Sequence, residues 1–291
     1  MTSASSFPDW LAAVDSRAGV VTGAGRAWAR NRVVLSGIGS TNALGRRVVD
    51  EYLREEMTLP EAVFVAWEQT AGRGRQGRAW VSAPGAGAWV TMVRRVADAE
   101  TLARLPLAVP LGLCEALDGR LPAGHRCRIK WPNDLVVGGR KIGGVLIDGV
   151  APRGEEGSGA AVIGFGVNLL QDEAELGAIA GAGAEGAVAA TSLAAEAAGE
   201  VAAEEVVWEL VAGVAARLEA AADDAALAAD YAGRSAHRPG DPMRCRAAGE
   251  TLEGRFRGFD GRGFLRLELT AAGAGHPPGE EVLMRAGEVV A

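Results

Sequence analysis

The sequence has little cysteine and little histidine, and neither is spaced to hold a metal. Cys114, Cys127 and Cys245 form no CxxC pair, and His125, His237 and His276 form no HxxxH pair. A structural zinc site is therefore unsupported, and reduced, packed thiols are expected. Long apolar runs are missing too, since no stretch approaches the ~18 residues of a membrane-spanning helix. The opening "MTSASSFPDW" has neither the charged start nor the apolar middle of an export signal. A cytoplasmic protein without membrane contact is the expectation. GxSxG and GxxxxGK[ST] are absent, which argues against a serine-nucleophile hydrolase and a P-loop nucleotide hydrolase. Excess positive charge is also lacking: 30 Lys and Arg stand against 37 Asp and Glu, for a formal net charge of −7. A broad basic face for nucleic acid is not expected.

What the chain does have is length and glycine. Its 291 residues, 48% of them hydrophobic, suffice for one large domain and a small one. Many of the 41 glycines cluster with alanine at 84–89, 177–190 and 271–280, which read as loops or weak helical connectors. Residues 40–57 carry apolar side chains at 44, 48, 52 and 53, the stripe of an amphipathic helix, with Ser40 and Thr41 at its N-cap. Residues 61–70 and 88–96 read as strands. A helix follows around 102–117, its first half limited by Pro106 and Pro110. "DLVV", "GG" and "RKIGGVLIDGV" predict a hairpin, because Gly-Gly accepts the positive φ of a two-residue turn. "GEEGSGA" breaks the chain, 161–170 reads as a strand, and 201–218 has helical apolar spacing. Beyond about 235, four or five short strands between glycine-rich turns suggest a small barrel.

Three places carry chemistry. In "GRGRQGRAW" (72–80), Arg73, Arg75 and Arg78 alternate with Gly72, Gly74 and Gly77 and end on Trp80. Guanidinium forks suit carboxylate and phosphate oxygens, glycines let backbone approach a ligand, and an indole offers a face for stacking. Such a loop is expected to order on a compact anion. In "KWPND" (130–134), Pro132 fixes a turn, and Asn133 and Asp134 offer groups to a nucleotide, a metal ion or backbone amides. Lys141 opens the second hairpin strand, from where its ammonium could reach back to that turn. "GFGVN" ends a glycine-cleared strand on Asn168, which must hold backbone or ligand.

Taken together, "GSTN" (39–42), "QTAGRGRQGRAW" (69–80), "KWPNDL" (130–135), "KIGGVLID" (141–148), "GFGVNL" (164–169) and "TSL" (191–193) resemble the biotin protein ligase family in order and spacing. The resemblance covers about residues 33–291. It implies an α+β fold: a mixed-sheet catalytic domain of the class II synthetase and biotin ligase type over 1–235, with 1–32 as an N-terminal extension, and an SH3-like barrel over 236–291. It also implies two steps, with ATP and biotin as substrates and Mg²⁺ as helper. Biotin and ATP give biotinyl-5′-AMP, and a lysine of a biotin carboxyl carrier domain, as in acetyl-CoA carboxylase, then takes the biotinyl group.

By position, Arg75, Lys141 and Asp134 are the implied catalytic residues, with Asp134 toward the metal. Ser40, Thr41, Asn42, Gln69, Gly72, Arg73, Gly74, Gly143 and Gly144 join Arg75 and Lys141 around biotin. Arg78, Trp80, Asn133 and Asn168 join Arg75, Asp134 and Lys141 around ATP. Some family members also carry an N-terminal DNA-binding domain. Here only 39 residues precede Ser40, and Arg17, Arg26, Arg30 and Arg32 line no recognition helix, so no specific DNA binding is expected. The leading segment is expected to pack on the catalytic domain, and deletion of residues 1–20 to leave activity intact. A lipoate- or octanoate-type ligase of the same fold and a non-catalytic biotin-responsive regulator are the alternatives.

Overall fold

The computed structural model describes residues 7–21, 23–150, 159–181, 188–221, 223–247, 249–273 and 275–290. Most of the "GEEGSGA" break and of the alanine-glycine tract at 182–187 lies outside them. Two helices, α1 (Phe7–Ala18) and α2 (Gly25–Arg30), lead into strand β1 (Arg32–Leu35), helix α3 (Thr41–Arg54) and strands β2 (Ala62–Ala66) and β3 (Gly87–Val96). Helix α4 (Ala99–Asp118) precedes β4 (Arg128–Lys130), β5 (Asp134–Val137), β6 (Arg140–Val150) and β7 (Gly159–Asn168). Helices α5 (Glu173–Gly181), α6 (Leu193–Glu196), α7 (Ala203–Ala220) and α8 (Asp224–Gly233) follow. Five short strands close the chain: β8 (Pro242–Ala247), β9 (Glu250–Phe259), β10 (Leu265–Leu269), β11 (Glu281–Met284) and β12 (Glu288–Val290).

The first seven strands make one mixed sheet in the order β1-β2-β3-β7-β6-β5-β4, with β1 and β2 parallel and the remaining pairs antiparallel. Side chains alternate across it, so successive residues feed different layers. Val63, Val65, Met92, Ile163 and Phe165 join the main core with α4 and α7. Phe64, Val93, Ala160 and Val162 instead meet Val49 and the flanking Leu44, Val48 and Tyr52 of α3. The sheet is thus sandwiched, with α3, among the described residues, packed on one face. The last five strands form an antiparallel sheet, β11-β10-β9-β8-β12, of the small SH3-like kind. Its buried Met243, Phe256, Leu265 and Leu267 continue the main core, and Phe259 meets Tyr231 of α8 edge-on at 5.1 Å.

Local signals explain most element ends. Ser40 caps α3 by accepting from the Ala43 amide, and Asp98 caps α4 by accepting from the Thr101 amide at 2.7 Å. Gly138 and Gly139 have φ of 56° and 78°, the two-residue turn expected between β5 and β6. One expectation needs correction. Helix α4 runs unbroken from Ala99 through Pro106 and Pro110. Each interior proline removes a hydrogen bond at a cost of ~3 kcal/mol, but Leu105, Val109, Leu111 and Leu113 are buried along it and outweigh that loss. The alanine-glycine tract, expected as a loop or weak helical connector, begins as a helix, because Asp172 and Glu175 bond each other's backbone amides at 2.9 and 3.0 Å in a capping box.

Helices α4 and α7 touch through glycine. A Cβ on Gly112 would lie 2.5 Å from the Gly213 carbonyl oxygen, so the two backbones meet where no side chain fits. Gly112→Ala gains helix propensity but forces the helices apart, and a net loss of about 2 kcal/mol is expected. Urea unfolding should show a lower midpoint at unchanged slope; an unchanged midpoint means the helices separate freely.

Candidate active site

A cleft of about 460 Å³ opens beside α3 on the face of the large sheet. Its size suits a small molecule. Glycines clear its floor. Gly144 on β6 and Gly166 on β7 are paired neighbours, and Gly164 pairs with Leu146 one step along. A Cβ on Gly166 would stand 2.7 Å from the Trp80 ring nitrogen, and one on Gly164 would stand 2.9 Å from Asn42 Oδ1. The indole and the amide therefore occupy space that side chains would take.

One end of the cleft is a polar chain. Gln69 Oε1 accepts from the Thr41 amide at 2.8 Å and from Thr41 Oγ1 at 3.0 Å. Thr91 Oγ1 donates to Thr41 Oγ1 at 2.9 Å, and Gln69 Nε2 donates to Ser82 Oγ at 2.9 Å. Buried Ser40 and Asn42 complete this end, the latter donating from Nδ2 to Asp148 Oδ2 at 3.1 Å.

The other end is cationic. The arginine loop folds into a small hairpin: the Trp80 amide donates to the Gly72 carbonyl at 2.9 Å, and a 3₁₀ turn over Arg75–Gly77 forms its tip. Arg75 donates to Asn133 Oδ1 at 3.2 Å, and Asn133 Nδ2 donates to the Val145 carbonyl at 3.0 Å. Burial pulls the Arg75 guanidinium below its ordinary pKa, Asp134 pushing it back up and Arg78 pulling it down. Lys141 Nζ lies 2.7 Å from Asp134 Oδ1 and 5.2 Å from the Trp80 ring centroid. Its strand is held from the far side, the Lys141 amide donating to the Ala189 carbonyl and its carbonyl accepting from the Thr191 amide. This gives "TSL" a structural task. Arg78 bonds Glu288 Oε1 of the second sheet at 2.6 Å, so β12 forms part of the rim.

Most residues singled out in the sequence line this one cleft, including Arg73 and Gly74. Two do not. Gly143 turns to the opposite face of β6, where a Cβ would meet the Gly166 carbonyl at 2.8 Å, and a Cβ on Gly72 would lie 2.4 Å from the Trp80 carbonyl oxygen. Both are needed for close packing. Asn168 borders the cleft, but its amide donates to the Thr191 carbonyl at 3.0 Å and accepts from Gln171.

No motif reading marks Thr91 or Glu288, and Lys130, though it opens "KWPND", has no role in that reading. Lys130 had a readable signal: the chain contains two lysines, Lys130 and Lys141, and both line the cleft. Burial lowers the Lys130 pKa, Asp134 raises it and Lys141 lowers it again.

Fold and site define a small-molecule-binding α+β protein whose cleft pairs a neutral polar pocket with a cluster of cations. The Biotin/lipoate A/B protein ligase family matches residues 37–168. The chain is 34% identical over 213 residues to a biotin--[acetyl-CoA-carboxylase] ligase of Paracoccus denitrificans, covering 71% of this chain and 83% of that protein. It is also 34% identical over 111 residues to the bifunctional ligase/repressor BirA of Escherichia coli, but this spans only 38% of the chain and 34% of that relative. Among solved structures, the biotin protein ligase from Aquifex aeolicus in complex with biotin and ATP superposes with a TM-score of 0.62 at 21% identity, covering 88% of this chain and 100% of that one. The chain belongs to the biotin protein ligase family.

Proposed function

We propose that this protein is an ATP-dependent, AMP-forming biotin–protein ligase acting on the biotin carboxyl carrier domain of an acyl-CoA carboxylase. The carrying observation is the convergence of Arg75, Arg78, Lys130 and Lys141 on one glycine-floored cleft that ends in a neutral polar pocket. A carboxylate and a polyphosphate repel each other, so cations are needed where they meet. Biotin's carboxylate oxygen attacks the α-phosphorus, and the bond to the pyrophosphate leaving group breaks. The carrier lysine's neutral amine then attacks the acyl carbon of the mixed anhydride, loses a proton, and AMP departs with the former carboxylate oxygen.

In this reading Arg75 and Lys141 flank the carboxylate and α-phosphate, while Arg78 and Lys130 take the outer phosphates. Trp80 stacks with the adenine, and Asn133 aims Arg75. Ser40, Thr41, Asn42 and Gln69 hold the cyclic urea, whose donors and acceptors match hydroxyl and amide groups. No side chain need become covalently attached.

Mg²⁺ fits as a passenger of the nucleotide, which it would partly neutralise. Asp134 offers one carboxylate, and among the described residues no group of three His, Cys, Asp or Glu comes together. That donor set suits Mg²⁺ held mainly by phosphates and water.

The protein acts in the cytoplasm; among the described residues no helix is long and apolar enough to cross a membrane. It binds no DNA specifically: Arg17 and Arg32 are committed to Glu205 and Asp15.

Purified protein given biotin and ATP should release pyrophosphate, and labelled biotin, not labelled lipoate, should pass to a carrier domain. Lipoate transfer in place of biotin would overturn the reading. Fluorescence anisotropy at ~150 mM salt against DNA upstream of biotin-synthesis genes should show no biotin-dependent, sequence-specific complex.

A further inference from the structure

The cleft holds four side-chain amides, and the oxygens of three are engaged. Gln69 Oε1 accepts from Thr41, Asn133 Oδ1 from Arg75, and Asn168 Oδ1 from Gln171. Asn42 differs. It is 8% exposed, and its Oδ1 is fully buried with no hydrogen-bond partner among the described residues. An unpaired buried acceptor costs about 1–3 kcal/mol, and it persists where a ligand completes it.

Which end of an amide carries the oxygen is ordinarily ambiguous, because oxygen and nitrogen have nearly the same shape. Here it is not. Asn42 Nδ2 lies 3.1 Å from Asp148 Oδ2, and a carboxylate presents only acceptors, so the NH₂ end must face Asp148. The oxygen is left over Gly164, whose missing side chain makes room for it. Asp148 stands on the same face of β6 as Gly144 and Leu146, two and one alternations along from them. Among the described residues it forms no ion pair, and its hydrogen bond is to Asn42. It closes the "KIGGVLID" motif, in which no role falls to it by the chemistry of phosphate transfer.

We propose that Asp148 is a positioning residue for ligand specificity: it locks the Asn42 amide so that an acceptor, and not a donor, meets a ring N–H of the bound cyclic urea. The inference rests on reading the cleft as a biotin site. A cyclic urea has two N–H donors and one carbonyl, so a locked acceptor selects it over a ring that offers no N–H there. Without the carboxylate, the amide turns over freely and spends part of its time presenting NH₂ to N–H.

The test measures steady-state biotin kinetics by pyrophosphate release, and affinity for biotin methylated at either ureido nitrogen. Asp148→Asn keeps the shape but can donate or accept. It should raise the KM for biotin about tenfold with kcat within about twofold, as for one hydrogen bond lost in binding. Asp148→Glu, which keeps a carboxylate, should stay within about threefold of wild type. Wild type should discriminate strongly against one of the two methylated isomers, and Asp148→Asn should narrow that gap. Asn42→Ala, with Asp148 intact, should show the same KM rise and the same lost discrimination, and adding Asp148→Asn to it should do nothing more. A KM unchanged in Asp148→Asn, or independent additive losses in the double variant, overturns the proposal. If wild type itself releases no pyrophosphate with biotin, the biotin reading falls, and this proposal with it.

Discussion

Replacing Lys141 with alanine should slow pyrophosphate release about 100-fold, a loss of roughly 3 kcal/mol by analogy with single donors that stabilise developing oxyanions. Biotin binding should change little. The position of the ammonium supports this split: it sits between the Asp134 carboxylate and the Trp80 ring, at the cationic end, away from the neutral pocket formed by α3. Its backbone is fixed on both sides, by β5 through the hairpin and by residues 189–191 through two hydrogen bonds. The side chain is therefore aimed before substrate arrives, which is the arrangement that favours stabilising a crowded phosphorus over binding a ground state. Lys141→Arg should not restore the rate, since a planar fork cannot reproduce a point charge seated on Asp134. Calorimetric biotin affinity and the rate of pyrophosphate release should diverge in Lys141→Ala. Equal losses in both would make Lys141 a ground-state binder.

Much of this site was readable because its parts are local. An N-cap serine before an amphipathic stripe places Ser40, Thr41 and Asn42 at a helix start, and the Gly138-Gly139 turn pairs Lys141 with Val136, one alternation from Asp134, with no tertiary information. What could not be read depends on register between distant strands. Thr91 looks like an ordinary β-branched residue in "AWVTMV", yet pairing with Gly164 sets it against Thr41. Asp148 looks like the polar end of a strand until β6 and α3 are brought together. Glu288 lies 210 residues from its partner Arg78, and only the docking of the second sheet joins them. Gly143 and Gly144 are indistinguishable in sequence, but alternation sends one to the core and the other to the cleft. Proline misled in α4 for the opposite reason: a local rule was overridden by burial that the local sequence does not report.

Removal of residues 1–20 tests the segment whose sequence suggested the least. It was expected to pack on the catalytic domain and to be dispensable for activity, and the packing is what the structure shows. Trp10 is 3% exposed and Val14 is fully buried, both within the main core against α7, and the Trp208 indole donates to the Val14 carbonyl at 2.8 Å. Losing a buried tryptophan side chain alone costs about 3–5 kcal/mol, a large part of the 5–15 kcal/mol that holds a typical domain. Deletion also leaves the Trp208 N–H without its acceptor and uncovers apolar surface on α7. Ordering the helix has its own entropic cost, so the net loss should resemble that of Trp10→Ala and not the full area buried. No residue of α1 lines the cleft, which separates the two readouts. The shortened chain should keep near-normal turnover at 15 °C, lose it on warming well below the intact protein's midpoint, and unfold at lower urea. Trp10→Ala in the full chain should reproduce most of that shift. An unchanged urea midpoint for the deletion would show that α1 covers the core without stabilising it, and a loss of turnover at 15 °C in a folded chain would give α1 a part in the chemistry.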